Sequence, residues 1–365
     1  MEVHRSRFIP YPTPAINAVA FSHSTHHTLE SDRSSLRLAV GRANGDIEIW
    51  NPLQGAWVQE TTFHGGQDRS VEGLAWIQEP DEVGPNGEKI PGQLRLFSIG
   101  YASSITEWNL ATGLPLRHVE GNGSEPWCLA AQPPWKSWQK DSVAQSGGFQ
   151  GQQLITGCAD GTLVTFNTQE NDLVLHKTLG NVIEKKARVL SVAWQTRKIV
   201  VAGYADSTIR IFNTAKKGSL IRTISLGAGP KGAPKETLVW AVNCLPNGDI
   251  VSGDSLGDIR LYEGKHYSQV QQLSGHAADV LDLAVGGDYN TLFSVGMDRR
   301  TIMWKLKSTP DKGVRIVRHS IHTHHEHDVK TLAVFDSKKL SVIASGGTLA
   351  HFAIVMDLAN YHIRS

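Results

Sequence analysis

Five histidines within nine residues are the part of this chain that most readily suggests metal chemistry. They are His319, His322, His324, His325 and His327. Imidazoles at such spacings can bind zinc or copper. However, no cysteine lies nearby, and His324–Val329 aligns with Gly275–Val280, where a histidine also precedes an aspartate and a valine. We therefore interpret the run as one copy of a repeated connection between strands, and we predict no metal site.

Motifs of catalysis and of cofactor binding are absent from the sequence. It contains no P-loop and no His-Glu-x-x-His pair, and its nearly all-β pattern leaves no strand–turn–helix unit that could form a nucleophile elbow. The segment Gly227–Gly232 has the glycines of a phosphate loop, but no strand–loop–helix unit surrounds it. We therefore predict a protein with no catalytic residue, no cofactor and no small-molecule substrate.

Basic side chains are the second group with chemical potential, because lysine and arginine bind phosphates. The candidates lie mainly in connections of the second half of the chain: Lys185, Lys186, Arg188, Lys216, Lys217, Lys231, Lys235, Arg299 and Arg300. If they line one arc of the molecule, they would attract an RNA backbone with little sequence specificity. An acidic protein partner is the alternative, and the sequence leaves both open.

The net charge of +1 hides an uneven distribution of charge along the chain. Residues 1–182 contain 12 basic and 19 acidic residues, whereas residues 183–365 contain 24 basic and 16 acidic residues. In a ring-shaped protein, the two halves of the sequence become opposite arcs. We therefore expect an acidic side and a basic side.

Two tryptophans, Trp135 and Trp138, lie in a long connection rich in glycine and proline between residues 133 and 152. Exposed tryptophans often anchor a protein partner. We treat the pair as a candidate protein anchor, with folding back on the connection's own blade as the alternative.

An internal repeat indicates which elements position these residues. A turn leads into an apolar strand that ends on a large aromatic residue, and this pattern recurs six times, followed by a degenerate seventh copy. The copies are Gly41–Trp50, Gly100–Trp108, Gly157–Phe166, Gly203–Phe212, Gly253–Tyr262, Gly296–Trp304 and Gly347–Val355. Another apolar strand precedes each copy, and the intervals of 42 to 63 residues contain the propeller blade period of about 40–45 residues.

A four-stranded sheet cannot bury both of its faces alone, so such sheets pack around an axis until a ring closes. The sequence therefore predicts an all-β protein, a β-propeller of seven blades, over residues 1–360. Residues 361–365 are expected to begin a linker to a possible second propeller. We expect the N-terminal strand, Val3–Pro10, to close the last blade.

The sixth copy resembles the WD-repeat family closely. His276, Ser294, Asp298 and Trp304 match the order of polar signature residues in that family. The resemblance implies that these four side chains form a buried, structural hydrogen-bond chain. His325 matches the first position of the same signature in the seventh copy.

No apolar run approaches the roughly 18 residues that cross a membrane, and residues 1–7 lack the apolar stretch of a secretory signal. The three cysteines are far apart in the sequence and are typical of buried thiols. These features favour an intracellular protein without membrane contact.

The N-terminal third is similar to the N-terminal propeller of the cirhin family. The matching segments are Met1–Tyr11, Ala15–Ser22, Val71–Trp76, Arg95–Gly100 and Ile105–Leu110. Members of this family are tandem-propeller subunits of the small-subunit processome. The resemblance adds Arg5 and Arg7 to the basic candidates, because both lie in the matching segment.

The resemblance implies a nucleolar scaffold within a multi-propeller subcomplex of the processome. Other propeller subunits would be its protein partners, and the 5′ leader of the ribosomal RNA precursor would be its RNA. The family is also associated with transcription of ribosomal DNA. The alternative function is a WD-repeat substrate receptor of a ubiquitin ligase. Such receptors often carry Asp-x-Arg after the strand-ending tryptophan, but Trp50, Trp108 and Trp304 lack it.

Overall fold

Seven four-stranded antiparallel sheets, which we call blades 1 to 7 in chain order, make up the fold. The computed structural model describes residues 14–23, 36–51, 57–65, 70–79, 82–90, 92–135, 151–169, 172–180, 186–215, 218–227, 229, 232, 234–287, 290–309, 313–323, 325–337, 340–348, 353–356 and 362–364. This part of the chain contains no helix that is long and apolar enough to cross a membrane. The predicted all-β, seven-bladed propeller is confirmed.

The first three blades contain the following strands. Blade 1 consists of β1 (Ile16–Phe21), β2 (Leu38–Arg42), β3 (Ile47–Asn51) and β4 (Val58–Phe63). Blade 2 consists of β5 (Gly73–Gln78), β8 (Leu94–Ile99), β9 (Ser104–Trp108) and β10 (Pro115–Glu120), with a small hairpin of β6 (Glu82–Val83) and β7 (Lys89–Ile90) inserted after β5. Blade 3 consists of β11 (Pro126–Ala131), β12 (Leu154–Cys158), β13 (Leu163–Asn167) and β14 (Val174–Leu179).

The remaining four blades repeat the arrangement. Blade 4 consists of β15 (Val189–Thr196), β16 (Ile199–Tyr204), β17 (Thr208–Asn213) and β18 (Ser219–Ser225), and blade 5 of β19 (Ala241–Cys244), β20 (Ile250–Gly253), β21 (Asp258–Tyr262) and β22 (Gln269–Ser274). Blade 6 consists of β23 (Val280–Val285), β24 (Thr291–Gly296), β25 (Thr301–Thr309) and β26 (Gly313–His322), and blade 7 of β27 (Val329–Ser337), β28 (Leu340–Gly347), β29 (Ala353–Met356) and β30 (His362–Arg364).

The position of a strand within its blade determines its composition. Second strands are covered by neighbouring blades on both faces, so β2 and β24 are nearly continuous apolar runs with every residue buried. Outermost strands are covered less, so β10 alternates between half-buried and exposed residues. Burial therefore decreases from the middle of each blade toward the rim of the ring.

The ring closes where blade 7 meets blade 1. The first strands of neighbouring blades contact one another all the way around, and β27 contacts β1. At this junction the Val19 amide donates a hydrogen bond to Thr331 Oγ1 over 3.1 Å, and Lys330 Nζ donates to Asn17 Oδ1 over 3.1 Å. Ile16 also packs in one apolar cluster with Val342 and other residues of both blades.

The last blade differs from the prediction at its outer edge. Its outermost strand, β30, pairs with β29, and Val355 lies opposite Ile363. His362–Arg364 therefore complete a blade instead of beginning a linker, because a strand here satisfies the backbone groups along the outer edge of β29. The predicted pairing of β29 with the N-terminal strand is accordingly wrong, since β28 and β30 occupy both edges of β29. Val3–Pro10 lie outside the described residues.

Successive strands alternate in direction, so the connections fall on two faces of the ring. We call the upper face the one that carries the turns between second and third strands and the connections between blades. The lower face carries the other connections. Hydrogen bonds join the two kinds of upper connection: Ala205 N donates to Arg188 O over 3.0 Å, and Met297 N donates to Asp279 O over 3.0 Å.

Candidate interaction surface of the ring

The four signature residues of blade 6 form a continuous hydrogen-bond chain. His276 contacts Asp298 through Nδ1 at 2.8 Å and Ser294 through Nε2 at 2.7 Å, and Trp304 Nε1 donates to Ser294 Oγ over 2.8 Å. The Ala277 amide also donates to Asp298 over 2.9 Å. The chain ties the connection before blade 6 to the second and third strands of that blade.

The electrostatics of this chain fit a structural role. Burial lowers the pKa of His276, against the opposing effect of Asp298, so the imidazole is neutral near neutral pH. Although burial alone would raise it, hydrogen bonds from His276 and the Ala277 amide hold the pKa of Asp298 below its usual value. Because the ionised carboxylate can only accept, Nδ1 carries the proton and Nε2 accepts the Ser294 hydroxyl. Each polar side-chain atom of these four residues therefore has a hydrogen-bond partner within the protein.

The histidine run is divided between a strand and a connection. His319 and His322 lie on β26, whereas His325 Nε2 contacts Ser345 Oγ at 2.8 Å in blade 7. His324 lies outside the described residues. Across the described ranges, no three His, Cys, Asp or Glu side chains come together as a metal site.

The cysteines and the described cavity show no activated nucleophile. Burial raises the pKa of Cys158 to about 11 and that of Cys244 to about 12, and it raises the pKa of Cys128 further. A cavity of about 320 Å³ between blades 1 and 2 is lined mainly by apolar side chains, among them Phe63 and Trp76.

The described basic candidates all lie on the upper face, in connections of blades 4 to 6. Lys186 and Arg188 precede the first strand of blade 4, Lys235 precedes that of blade 5, and Arg299 and Arg300 lie in the β24–β25 turn of blade 6. Lys186, Arg188, Lys235 and Arg299 are exposed. Arg300 is less available, because its Nε lies 3.6 Å from Asp298. Outside the described residues lie Arg5, Arg7, Lys185, Lys216, Lys217 and Lys231.

Arg210 and Arg260, inside blades 4 and 5, do not contribute to this surface, because they form buried ion pairs. Arg210 contacts Asp206 at 2.7 Å in blade 4, and Arg260 contacts Asp254 at 3.0 Å in blade 5. Their charge is therefore neutralised within the fold. The positive charge that reaches solvent on the upper face of blades 4 to 6 comes from the connections.

Trp127 and Trp240, on the upper face, are further candidate contact residues that were not predicted from the sequence. The Arg188 guanidinium lies 4.0 Å above the centre of the Trp127 ring, and Trp240 Nε1 donates to Asp279 Oδ2 over 2.7 Å. Both tryptophans lie at or just before the beginning of the first strand of a blade. The sequence could have indicated these two residues by their position at the beginning of a first strand. A residue there lies at the upper face, whereas residues further along the same strand face the core.

The Trp135 side chain packs against the protein and is only partly exposed to solvent. It is half-buried, and the Arg197 guanidinium lies 4.0 Å from its ring centre. Arg197 also donates to the carbonyl oxygens of Pro133 and Gly151, and burial lowers its pKa to about 10. Trp138 lies outside the described residues.

Comparisons with known proteins identify relatives across most of this chain. The family model described as WD domain, G-beta repeat matches residues 267–305. U3 small nucleolar RNA-associated protein 4 of Schizosaccharomyces pombe is 36% identical over 97% of this chain and 45% of its own length. The Saccharomyces cerevisiae protein of the same name is 37% identical over 95% of this chain and 41% of its own length.

The human homolog of that protein is 28% identical over 96% of this chain and 44% of its own length. The chain thus spans less than half the length of these relatives. The match to residues 267–305 contains all four residues of the hydrogen-bond chain in blade 6. The chain is therefore a seven-bladed β-propeller with a WD repeat matched at residues 267–305, and it is similar, along nearly its whole length, to U3 small nucleolar RNA-associated protein 4.

Proposed function

We propose that this propeller is a non-catalytic scaffold of nucleolar ribosome biogenesis. It would take part in assembly of the small-subunit processome and in processing of the ribosomal RNA precursor. The relatives carry the name of a protein associated with the U3 small nucleolar RNA, and the similarity extends over 95% or more of this chain. That name also supports a location in the nucleus, and we propose the nucleolus.

The exposed cations on the upper face of blades 4 to 6 are the observation that supports RNA contact. Lys186, Arg188, Lys235 and Arg299 project from connections that the blades hold in place. Phosphates are attracted to such a surface without base specificity. We propose that this surface contacts the 5′ leader of the ribosomal RNA precursor.

Other propeller subunits of the processome subcomplex are the proposed protein partners. The upper face of blades 1 to 3 carries acidic residues in equivalent connections, among them Asp46, Glu72 and Glu125. RNA would be repelled from this part of the face, which leaves it suited to a basic protein surface.

The ubiquitin-ligase receptor is the weaker alternative. Nothing in the relatives supports it, since the proteins matched over most of the chain are named for a small nucleolar RNA. The strand-ending tryptophans of blades 1, 2 and 6 also lack the Asp-x-Arg that often follows them in such receptors.

The salt dependence of RNA binding tests the proposed contact. Four phosphate contacts to a single strand predict a slope of about −3 when the logarithm of the binding constant is plotted against that of the salt concentration. Lys235→Gln should reduce the steepness of this slope by about 0.7. Binding of a 5′ leader fragment to the whole chain, measured by fluorescence anisotropy, gives both values.

Lys265→Gln is the matched control, because exposed Lys265 lies between the third and fourth strands of the same blade and thus on the lower face. This variant should bind RNA like the wild-type chain. A slope near zero, or equal losses in the two variants, would exclude the upper face as the RNA surface.

A further inference from the structure

We propose that Arg188, held against Trp127, is a stacking site for an unpaired nucleobase, so that the upper face binds single-stranded RNA in preference to duplex RNA. The proposal rests on the proposed RNA contact and specifies its chemistry. Phosphate attraction alone would not distinguish single strands with bases from an equally charged backbone without them.

The geometry places Arg188 at the junction of blades 3 and 4. Trp127 is the second residue of β11, and Arg188 immediately precedes β15, so the two meet where the first strands of neighbouring blades begin. The guanidinium carbon lies 4.0 Å from the centre of the indole ring, which is close enough for face-to-face stacking. Trp127 is half-buried and Arg188 is exposed, so the guanidinium covers the ring and faces solvent.

The backbone around Arg188 is fixed from both sides. The carbonyl oxygen of Arg188 accepts a hydrogen bond from Ala205 N in the β16–β17 turn over 3.0 Å. The preceding residue, Ala187, lies directly against Gly161 in the β12–β13 turn of blade 3, where a side chain at Gly161 would collide with the Ala187 carbonyl. The stacked arginine thus stands on an ordered connection, which lowers the entropy lost on binding.

The charge of Arg188 is not neutralised within the described part of the chain. Arg42, Arg95, Arg210 and Arg260 each lie within 3.0 Å of a carboxylate oxygen. Arg188 forms no ion pair with any described residue, and its contact is with the ring of Trp127. A cation that is oriented by an aromatic ring, and not by an acid, remains available to a ligand.

A nucleobase fits both properties of this site. The outer face of a planar guanidinium can stack on a base, while its N–H groups can donate to a phosphate. Bases in a duplex are already stacked on both faces, so only an unpaired base can occupy the site. Lys186 and Lys235 lie in the connections before blades 4 and 5 and can neutralise phosphates along the same strand. An acidic peptide would pair with the charge of Arg188 but would not stack on its planar guanidinium group.

The test compares three ligands with equal backbone charge per strand on the whole chain. They are a single-stranded oligoadenylate of about 12 nucleotides, its abasic analogue and its duplex with oligouridylate. The wild-type chain should bind the oligoadenylate about tenfold more tightly than the abasic analogue, the range expected for one stacked base. Arg188→Lys keeps the charge but removes the plane, so this preference should fall to nearly onefold with an unchanged salt slope.

Arg222→Lys, at an exposed position on β18 of blade 4, is the matched control and should retain the tenfold preference. Thermal unfolding of each variant checks that the fold is intact. An Arg188→Lys chain that still prefers the oligoadenylate tenfold overturns the stacking site, while RNA contact stands. Equal binding of the oligoadenylate and its abasic analogue by the wild-type chain also overturns it. Failure of all three ligands to bind, together with binding of polyglutamate, overturns the RNA contact itself and favours an acidic protein partner.

Discussion

At the scale of single residues, a buried serine accepts the indole hydrogen bond of Trp108 in blade 2 and of Trp304 in blade 6. Ser294 accepts from Trp304 and contacts His276, so one hydroxyl serves two buried groups. Ser98 accepts from Trp108 Nε1 over 2.8 Å in blade 2. The four residues in blade 6 were predictable because their spacing matches the WD-repeat signature. Ser98 was not, since blade 2 has no histidine or aspartate at the matching positions.

Replacing Ser294 by alanine should destabilise the protein more than replacing Ser98. Ser294→Ala leaves His276 Nε2 and Trp304 Nε1 buried without a partner, which costs about 3 kcal/mol in the free energy of unfolding. Ser98→Ala leaves only Trp108 Nε1 and should cost about half as much. Urea denaturation followed by tryptophan fluorescence measures both losses of stability. Equal losses would show that Ser294 does not stabilise two buried groups at once.

At the scale of the strand, the repeated aromatic marks a bulge between the third and fourth strands. The register shifts at Trp50, Phe166 and Phe212 and at the corresponding aromatic residues of blades 5 and 6. The repeat therefore predicted the second and third strands well, because their apolar runs and turns are covered on both faces. The outer strands were harder to predict, because their many exposed polar residues leave little hydrophobic periodicity in the sequence. The β6–β7 hairpin and β30 were missed for the same reason.

The longest hairpin, β25–β26, extends beyond its own blade and lies over β22 of blade 5. Gln271 Nε2 donates to Ile316 O over 2.9 Å, and Ile316 N donates to Gln271 Oε1 over 2.8 Å. Arg315 also donates to Val270 O over 2.7 Å. One side chain of blade 5 thus satisfies both backbone groups of a residue in blade 6.

Gln271→Ala should loosen the hairpin locally while the ring stays folded. Two hydrogen bonds to the backbone of Ile316 are lost, so amide exchange over residues 313–319 should quicken about tenfold. Hydrogen–deuterium exchange with mass spectrometry gives this rate. Gln269→Ala is the control, because Gln269 is exposed and, among the described residues, its side chain donates a hydrogen bond only to Gln272, over 3.4 Å. Unchanged exchange in the Gln271 variant would mean that the remaining contacts, among them the hydrogen bond from Arg315 to Val270 O, are sufficient to hold the hairpin.

At the scale of the whole molecule, side chains join neighbouring blades at the centre of the ring. Asp282 Oδ2 accepts the Leu332 amide over 2.7 Å between blades 6 and 7, and Ser191 Oγ donates to Val239 O over 3.0 Å between blades 4 and 5. These contacts fix the blades relative to one another. The connections of the upper face therefore keep a constant spacing from blade to blade.

The distribution of charge over the ring was predictable in part. Opposite sequence halves become opposite arcs, so counting charges along the chain predicted a basic arc, and Lys186, Lys235 and Arg299 are exposed there. The buried ion pairs of Arg210 and Arg260 could not be predicted in this way, because a count of charges does not distinguish an arginine on a strand from one in a connection. The stack of Arg188 on Trp127 was also beyond the sequence, since it depends on how two consecutive blades meet.

We propose that the upper face of blades 4 to 6 contacts ribosomal precursor RNA. In-cell crosslinking of the tagged full-length protein, with sequencing of the attached RNA and mapping of the crosslinked peptides, tests it most directly. We predict reads concentrated on the 5′ leader of the precursor, attached to peptides that contain Lys186, Arg188, Lys235 or Arg299. Absence of precursor reads, or crosslinks confined to the lower face, would exclude this RNA contact and leave a propeller that binds proteins only.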